Sequence, residues 1–529
     1  MICVLSLCLA ALLAQAQDDA LMRAARYLSG AGADEELPEE WVERLEALWG
    51  RKIRVNSARI RSDGLLTDYQ EASLADYRAH NGDILSWEEL ALVDGFSRET
   101  VEALRPFLSL SSERLPGNTD TLSLRATAIL RTTLKTVGAK AKVTGEHWRA
   151  GGAWRGKDWT AFAEGSYGAS RWLIGDYNIR LGQGLSHWSG FSLSSLSTVD
   201  AFIRRSPGLS PVWSYSSASV HRGLAYEYIS RHFRGLFFAD KDKILGLHAD
   251  WLARQGQLGL SVIPDLGDLR GNFTVSLDGR LHLRRVLLAG EVGWKSGSWA
   301  ALGAMQLRLG EHHRLALQAR GIPSRFSGKK YGEYALALGY DFQLRPVHGL
   351  SFTCDAALLP IPGQEQRRLQ LRSYAQWNWQ ASARWSLVLR LTERYRNYED
   401  PRTDLRADVH WTDGPWQGTL RGEWVHCAQS SVLSYLEGGY KGENLAAYLR
   451  LTGFWADSWN ARIYCYERDA PGSFSVPAYY GKGLAASLVG SWKHRFRWFT
   501  IKAYIRASYI VRKERKPTPA LNFQLQLER

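Results

Sequence analysis

From Thr119 to Arg529 the sequence runs in segments of about ten residues in which apolar and polar side chains alternate, and no other feature restricts the chain as much. Neighbouring side chains on a strand point to opposite faces, so each such segment has one apolar and one polar face. LSLRATAIL (122–130), YALALGYDFQL (334–344), SLVLRLTERY (386–395) and YIRASYIV (504–511) are examples. Asp278-Gly279, Gly310-Glu311 and the run 441–444 are expected as turns between segments. Tilted strands of about ten residues are long enough to cross a bilayer. No stretch after residue 16 approaches the ~20 apolar residues that a spanning helix needs. The mean hydropathy is −0.29, yet the chain holds 22 Trp and 23 Tyr. A transmembrane barrel accounts for both, because its lumenal face is polar and aromatic girdles mark the two interfaces. Roughly 16–24 strands can be counted, the range of larger barrels. The soluble alternative is a large sandwich or propeller, but no blade-length repeat is visible.

The first 118 residues read differently. Residues 1–16 carry no charged side chain and end in Ala14-Gln15-Ala16, the pattern of a secretory signal cut before Gln17. The signal departs from type in having no Lys or Arg. Cys8 invites a lipoprotein reading, which Leu7 before it disfavours, since a small residue is wanted there. Residues 17–110 are expected to be a helical periplasmic module with a helix-hairpin-helix core over 51–110. Pro38 starts a helix that carries Trp41, Leu45 and Leu48 on one face. Ser86 with Glu89, and then Ser97, are caps for two short helices separated by Asp94-Gly95. Residues 111–118, with Pro116 and Gly117, are the expected linker, and 119–529 the barrel. The fold class is therefore α+β, a small all-α helix-hairpin-helix module followed by a large antiparallel transmembrane barrel. Residues 17–110 hold 19 acidic and 11 basic side chains, a net of −8. The whole chain is +14, so residues 111–529 carry +22.

Several strings resemble a known family. Asn56-Ser57-Ala58, Leu74-x-x-Tyr77-Arg78, Gly82-x-Ile84-Leu85-Ser86, Glu89-Leu90 and Val93-Asp94-Gly95-Phe96 mark the helical part. GDYNIRLGQGLSHWSGF (175–191), RGLAYEY (222–228) and RIYCYERDAPGSFSVPAYYGKG (462–483) mark the barrel. Together they resemble the helix-hairpin-helix domain-containing outer-membrane proteins of Bacteroidota. The helical half is also similar to small competence-type DNA receptor domains. The resemblance implies architecture and an outer-membrane location, and it implies no activity.

A DNA-binding hairpin has Gly-x-Gly, whose backbone N–H groups meet a phosphate. Here the first unit has Leu65-Leu66-Thr67-Asp68 with no glycine, and the second keeps Gly95 but has Ser97 at the next expected glycine. The candidate nucleic-acid residues are Gly95, Phe96, Ser97 and Arg98. The acidic module disfavours DNA as a partner, because such binding draws on a basic surface. Gly182-Gln183-Gly184 lacks the third glycine and the helix of a nucleotide loop. Ser186-His187 cannot form a hydrolase pair, being neighbours on a strand, and Ser189 has no placed carboxylate partner. His312-His313 is expected to be solvated in a charged turn. The segment 186–219 loses the alternation and is long for a hairpin loop. It reads either as a surface loop or as a plug in the lumen, with Gly182, Gly184, Trp188 and Gly190 as candidates. Cys354, Cys427 and Cys465 are odd in number and suggest no disulfide framework and no metal site. No catalytic residue and no cofactor is expected. The +22 cannot face lipid tails, so Arg180, Arg204, Arg205, Arg222, Arg284 and Arg285 belong in the lumen, at rims or in loops. The doublets Arg204-Arg205 and Arg284-Arg285 suggest rims or bends. The leading function is a non-enzymatic channel, transporter or assembly component, with outer-membrane lipid and an unknown periplasmic protein as partners. The rival is a DNA-uptake protein acting through the hairpin.

Overall fold

A computed structural model describes residues 20–29; 41, 42, 45, 48, 52–57, 60, 62, 65–93 and 95–112; and 125–529 except 146, 191–195, 231, 243, 254, 265–272, 296, 311, 328–331, 345–346, 361–366, 398, 472, 474 and 514. The leader expected over 1–16, the Pro38 helix start, Asp94 and residues 113–118 of the expected linker lie outside the described residues.

Alternation over four hundred residues produces a closed antiparallel barrel of 24 strands. Closure is made by the last strand, Arg515–Glu528, pairing with the first, Arg125–Thr133, in the register Leu525↔Leu130. A closed sheet leaves no unpaired edge, which is what a strand protein needs in a medium without water. Among the described residues no helix is long and apolar enough to cross a membrane. Leu258, Leu277, Leu336, Leu436, Leu449 and Leu488 face outward and are exposed, while Ser261, Asp278, Glu291, Asp408, Glu437 and Arg450 on the other face are buried. Exposed Trp residues gather near strand ends. Trp148, Trp379, Trp385, Trp416 and Trp492 lie toward one rim, and Trp154, Trp159, Trp299 and Trp455 toward the other. These are the two girdles expected of such a wall.

Two expectations need correction. Asp278-Gly279 is not a turn. Both residues lie inside Phe273–Leu283, where Asp278 pairs with Gly259 and Glu291 in the ladders and turns into the lumen. A carboxylate in alternating register reads as a turn signal only when the lumen's demand for polar groups is overlooked. Strand length also departs from a uniform ten. Wall strands up to His313–Ile322 have 8–11 residues, and those from Glu333–Leu344 onward have 12–15. The other expected turns hold, since 309–312 and 442–444 connect strands.

Connections alternate between the two rims. Near the chain ends they are short, such as 284–285 and 414–415. The long ones, 181–220, 323–332 and 457–480, all leave from the opposite rim.

The N-terminal residues build one core from Leu21, Leu28, Trp41, Leu45, Leu74, Ile84, Leu90 and Phe107. Residues 20–29 are helical, and Asp68–Asn81, Trp87–Leu90 and Arg98–Leu104 follow. Thr67 and Gln70 cap Asp68–Asn81 reciprocally, at 3.2 and 3.0 Å. Ser86 Oγ accepts from Glu89 N at 3.0 Å, but the Glu89 carboxylate accepts from Leu85 N at 2.7 Å and from Tyr77 Oη at 2.9 Å. The Leu85 N–H and then Tyr77 hold that carboxyl below its ordinary pKa. Asn56 stitches the unit together, accepting from Ile84 N at 2.9 Å and donating to Leu110 O at 2.7 Å.

The outward face makes a direct prediction. Leu436 sits mid-strand and is 61% exposed. Leu436→Arg should cost about 2–4 kcal/mol of folding stability in lipid vesicles, measured by reversible denaturation, as for a cation at the bilayer midplane. An unchanged midpoint would mean that this face does not meet hydrocarbon.

Candidate functional site

A barrel this wide cannot be filled by its wall side chains, and two in-turned segments occupy it. The first is 181–220. It leaves the wall after Ser170–Arg180 and returns at His221–Ile229, two strands that pair directly with each other. Its short strand Gly208–Pro211 lies along residues 177–180. Its turn Val199–Phe202 packs on strands 298–344, where Gln306 and Gln318 donate to Val199 O and Phe202 O at 2.8 Å each. A Cβ on Gly339 would lie 2.8 Å from the Phe202 ring, so that wall position must stay bare. Farther along, Lys140 Nζ donates to Trp213 O at 3.1 Å, and the Trp213 indole donates to Ala141 O and Gly152 O.

The hold at the start of this segment is electrostatic. Gly182 and Gly184 take φ of +51° and +79°, which turns the backbone so that successive N–H groups converge. The amides of Gln183, Leu185 and Ser186 donate to the Glu291 carboxylate at 2.7, 3.0 and 2.8 Å. The Gly-Gln-Gly run is thus an anion nest filled by a wall carboxylate. Trp188 carries the Arg180 and Arg204 guanidinia over its ring at 5.7 and 5.3 Å. Gly190, with φ +77°, abuts the Asn178 side chain. All four plug candidates therefore lie in this in-turned segment.

The second segment, 457–480, overlaps the string 462–483, whose sequence points only to the barrel. It was missed because its short strands, Ile463–Tyr464 and Ala478–Tyr479, continue the barrel texture. Glu437 on the wall accepts from Arg450 and Arg468 at 2.8 Å each, tying wall to insert. Glu467 accepts from Tyr479 and Arg506, and Asp469 from Asn522 at 3.0 Å. Cys465 and Cys427 are buried free thiols, and Cys354 is a half-buried one.

The helical module meets these elements at the short-turn rim. Its helix Asp68–Asn81 rests on strand Leu245–Ala253, and Arg205 of the first insert lies 4.6 Å from the Tyr27 ring. Between module, insert and wall lies a cavity of about 1040 Å³. Three of the four nucleic-acid candidates, Gly95, Phe96 and Ser97, line it. Gly95 has φ +82° and its carbonyl accepts from Gln70 at 2.8 Å. Phe96 is 7% exposed, and Ser97 Oγ accepts from Thr100 N at 3.1 Å as the helix cap. Arg98 lies apart, with its side chain 87% exposed and paired to Glu102 at 3.3 Å.

Of the arginine candidates, Arg284 and Arg285 are in a rim turn, as that doublet suggested, whereas Arg204 and Arg205 lie in the lumenal insert. Arg222 pairs with Asp176 at 2.7 Å and covers the Trp159 ring. Ser189 Oγ donates to Ile179 O at 3.1 Å and accepts from Ile179 N at 2.7 Å. His187 lies 2.8 Å from His221, which reaches Asp240 at 2.5 Å. His312 is exposed beside Gln343 O, and His313 opens a strand and meets Tyr340 Oη at 2.8 Å. Among the described residues no group of His, Cys, Asp and Glu has the arrangement of a metal site.

No family model matches the chain. No curated protein matches it either. Among solved structures it is similar to the copper transporter OprC, at 9% identity and TM-score 0.41 over 79% of this chain and 81% of that one. It is similar to OccK3 of Pseudomonas aeruginosa at 11% and 0.32, over 77% and 93%. It is similar to the siderophore receptor PirA from Acinetobacter baumannii at 9% and 0.43, over 78% and 81%. These values carry no argument about activity.

The nest is testable. Glu291→Ala removes the acceptor of three charge-assisted hydrogen bonds, each worth about 1.5–3 kcal/mol. Amide hydrogen exchange at Gln183, Leu185 and Ser186 should accelerate by about tenfold or more, with the strand amides of Val286–Lys295 unchanged. Equal exchange in both proteins would remove the nest as the hold on the insert.

Proposed function

We propose that the chain is a non-enzymatic outer-membrane barrel that forms a closed passage for anionic solutes, with its N-terminal module on the periplasmic side as the closing element. One observation carries this reading: module, insert and wall converge on a lumenal cavity whose lining holds Arg204, Arg205, Arg284 and Arg285. Positive charge in a narrow, low-dielectric channel concentrates anions and repels cations. The signal-like residues 1–16 and the position of the long connections opposite the chain ends support the orientation, since such barrels keep short turns in the periplasm. A periplasmic protein that drew the module away would open the passage, and acidic lipid would be held at basic rims such as Arg284-Arg285. The DNA-uptake reading has less support, because Gly95, Phe96 and Ser97 face the barrel's own cavity.

Planar-bilayer recording tests this. The chain from Gln17 onward should show little or no unitary conductance. A variant lacking residues 17–112 should open larger steps whose reversal potential in a salt gradient is anion-selective. A variant that stays closed, or conducts cations, would contradict the proposal.

A further inference from the structure

The charges around the cavity do not balance. Among the described residues two carboxylates line it, and both are spoken for: Asp200 pairs with Arg314 at 3.0 Å and Glu333 with Arg320 at 2.6 Å. The nearby Glu291 is enclosed by its three backbone donors. Arg204, Arg205, Arg284 and Arg285 also line the cavity, and none has an ion pair among the described residues. Arg205 Nη1 is buried with no hydrogen-bond acceptor. A buried guanidinium donor without an acceptor is costly unless something fills the place.

The position of these cations is set by the fold. Arg204 N donates to Gln183 Oε1 at 3.0 Å, and its carbonyl accepts from Arg280 Nη2 at 2.6 Å. The Arg204 side chain is steadied over Trp188 and that of Arg205 over Tyr27. Burial, and then the neighbouring Arg320, hold the Arg204 guanidinium below its ordinary pKa, against the opposing pull of Glu291 and Glu333.

We infer that this cavity is a binding site for a multivalent oxyanion of the phosphate class, gripped by Arg204 and Arg205 and met at its mouth by Arg284 and Arg285. The inference rests on the reading of the lumen as a closed passage and names what that passage receives. The half-buried Arg204 and Arg205, without ion pairs among the described residues, and the exposed Arg284 and Arg285 at the mouth favour several negative charges in one ligand. Phosphate oxygens match the planar Arg fork and can be shared among several forks. The volume, about 1040 Å³, is at the upper end of pockets for small organic molecules and admits a phosphorylated solute. The same chemistry is offered by a free phosphorylated solute and by a phospholipid headgroup.

The test is equilibrium binding of tripolyphosphate to the detergent-solubilised chain from Gln17 onward. Binding should be one to one and should weaken as salt rises. R204A/R205A should weaken it by about tenfold or more, whereas R497A, in a turn outside the cavity, should not. R284A/R285A in the rim turn carries the same expectation and serves if the first variant loses heat-modifiable mobility. A phosphorus assay on the protein before and after tripolyphosphate separates the sources. Displaced phospholipid assigns the headgroup, and its absence a free solute, and both support the site. No binding, or equal binding by R204A/R205A, R284A/R285A and the parent, overturns it. Because no current is read, a silent bilayer leaves this site standing, and failure here leaves the closed passage standing.

Discussion

A sheet closed through 24 strands pairs its wall from strand to strand with no open edge, but it encloses more space than inward side chains can fill. The rest of the structure answers that constraint. A lumen left open would be water-filled, and its buried-side arginines would be solvated. Here they are used instead as attachment points. The wall contributes Glu291, Glu437 and Arg506, and the inserts contribute a backbone nest, Arg468 and Glu467. Burying such charges gives stability only when partners and geometry are complete. That is why the inserts carry polar groups at fixed places and not merely bulk.

The two inserts are held by different physics. The first is gripped at its base by three amides on one carboxylate and then by apolar contact, with Phe202 over the bare Gly339. The second is fixed by side-chain ion pairs that run from Arg450 through Glu437 to Arg468. Both leave from the rim opposite the chain ends, and the first reaches the helical module, where Arg205 meets Tyr27. The module therefore has its Gly95 turn facing inward. Its capped helices and its Gly95 turn are intact, but what they face is the barrel's own cavity.

The sequence made the wall legible because period-two alternation has a direct physical reading, and it made the charge problem legible because +22 has no place in lipid. The loss of alternation over 186–219 marked the first insert. Its partner was invisible, since Glu291 lies 108 residues from Gln183 and looks like any lumenal carboxylate in an alternating strand. Asp278-Gly279 misled for the same reason, because a local turn signal and a lumenal acid are spelled alike. The string 462–483 marked the barrel, but its inward course depends on Glu437, Arg506 and Asn522, which no local pattern connects to it. In the module, Asn56 and Tyr77 proved to be ties within the core, so the residues that carried the resemblance hold the fold together.

Module and first insert meet where the Arg205 guanidinium lies over the Tyr27 ring. The most direct measurement places Tyr27→Cys and Arg205→Cys in a chain whose other cysteines are replaced by alanine, refolded in lipid vesicles and treated with a short bis-maleimide. An intramolecular cross-link that shifts the protein on a denaturing gel is expected. None is expected between Tyr27→Cys and Lys157→Cys, which lies in a turn at the opposite rim. Absence of the first cross-link, or equal yields for both pairs, would mean that the module does not meet the insert.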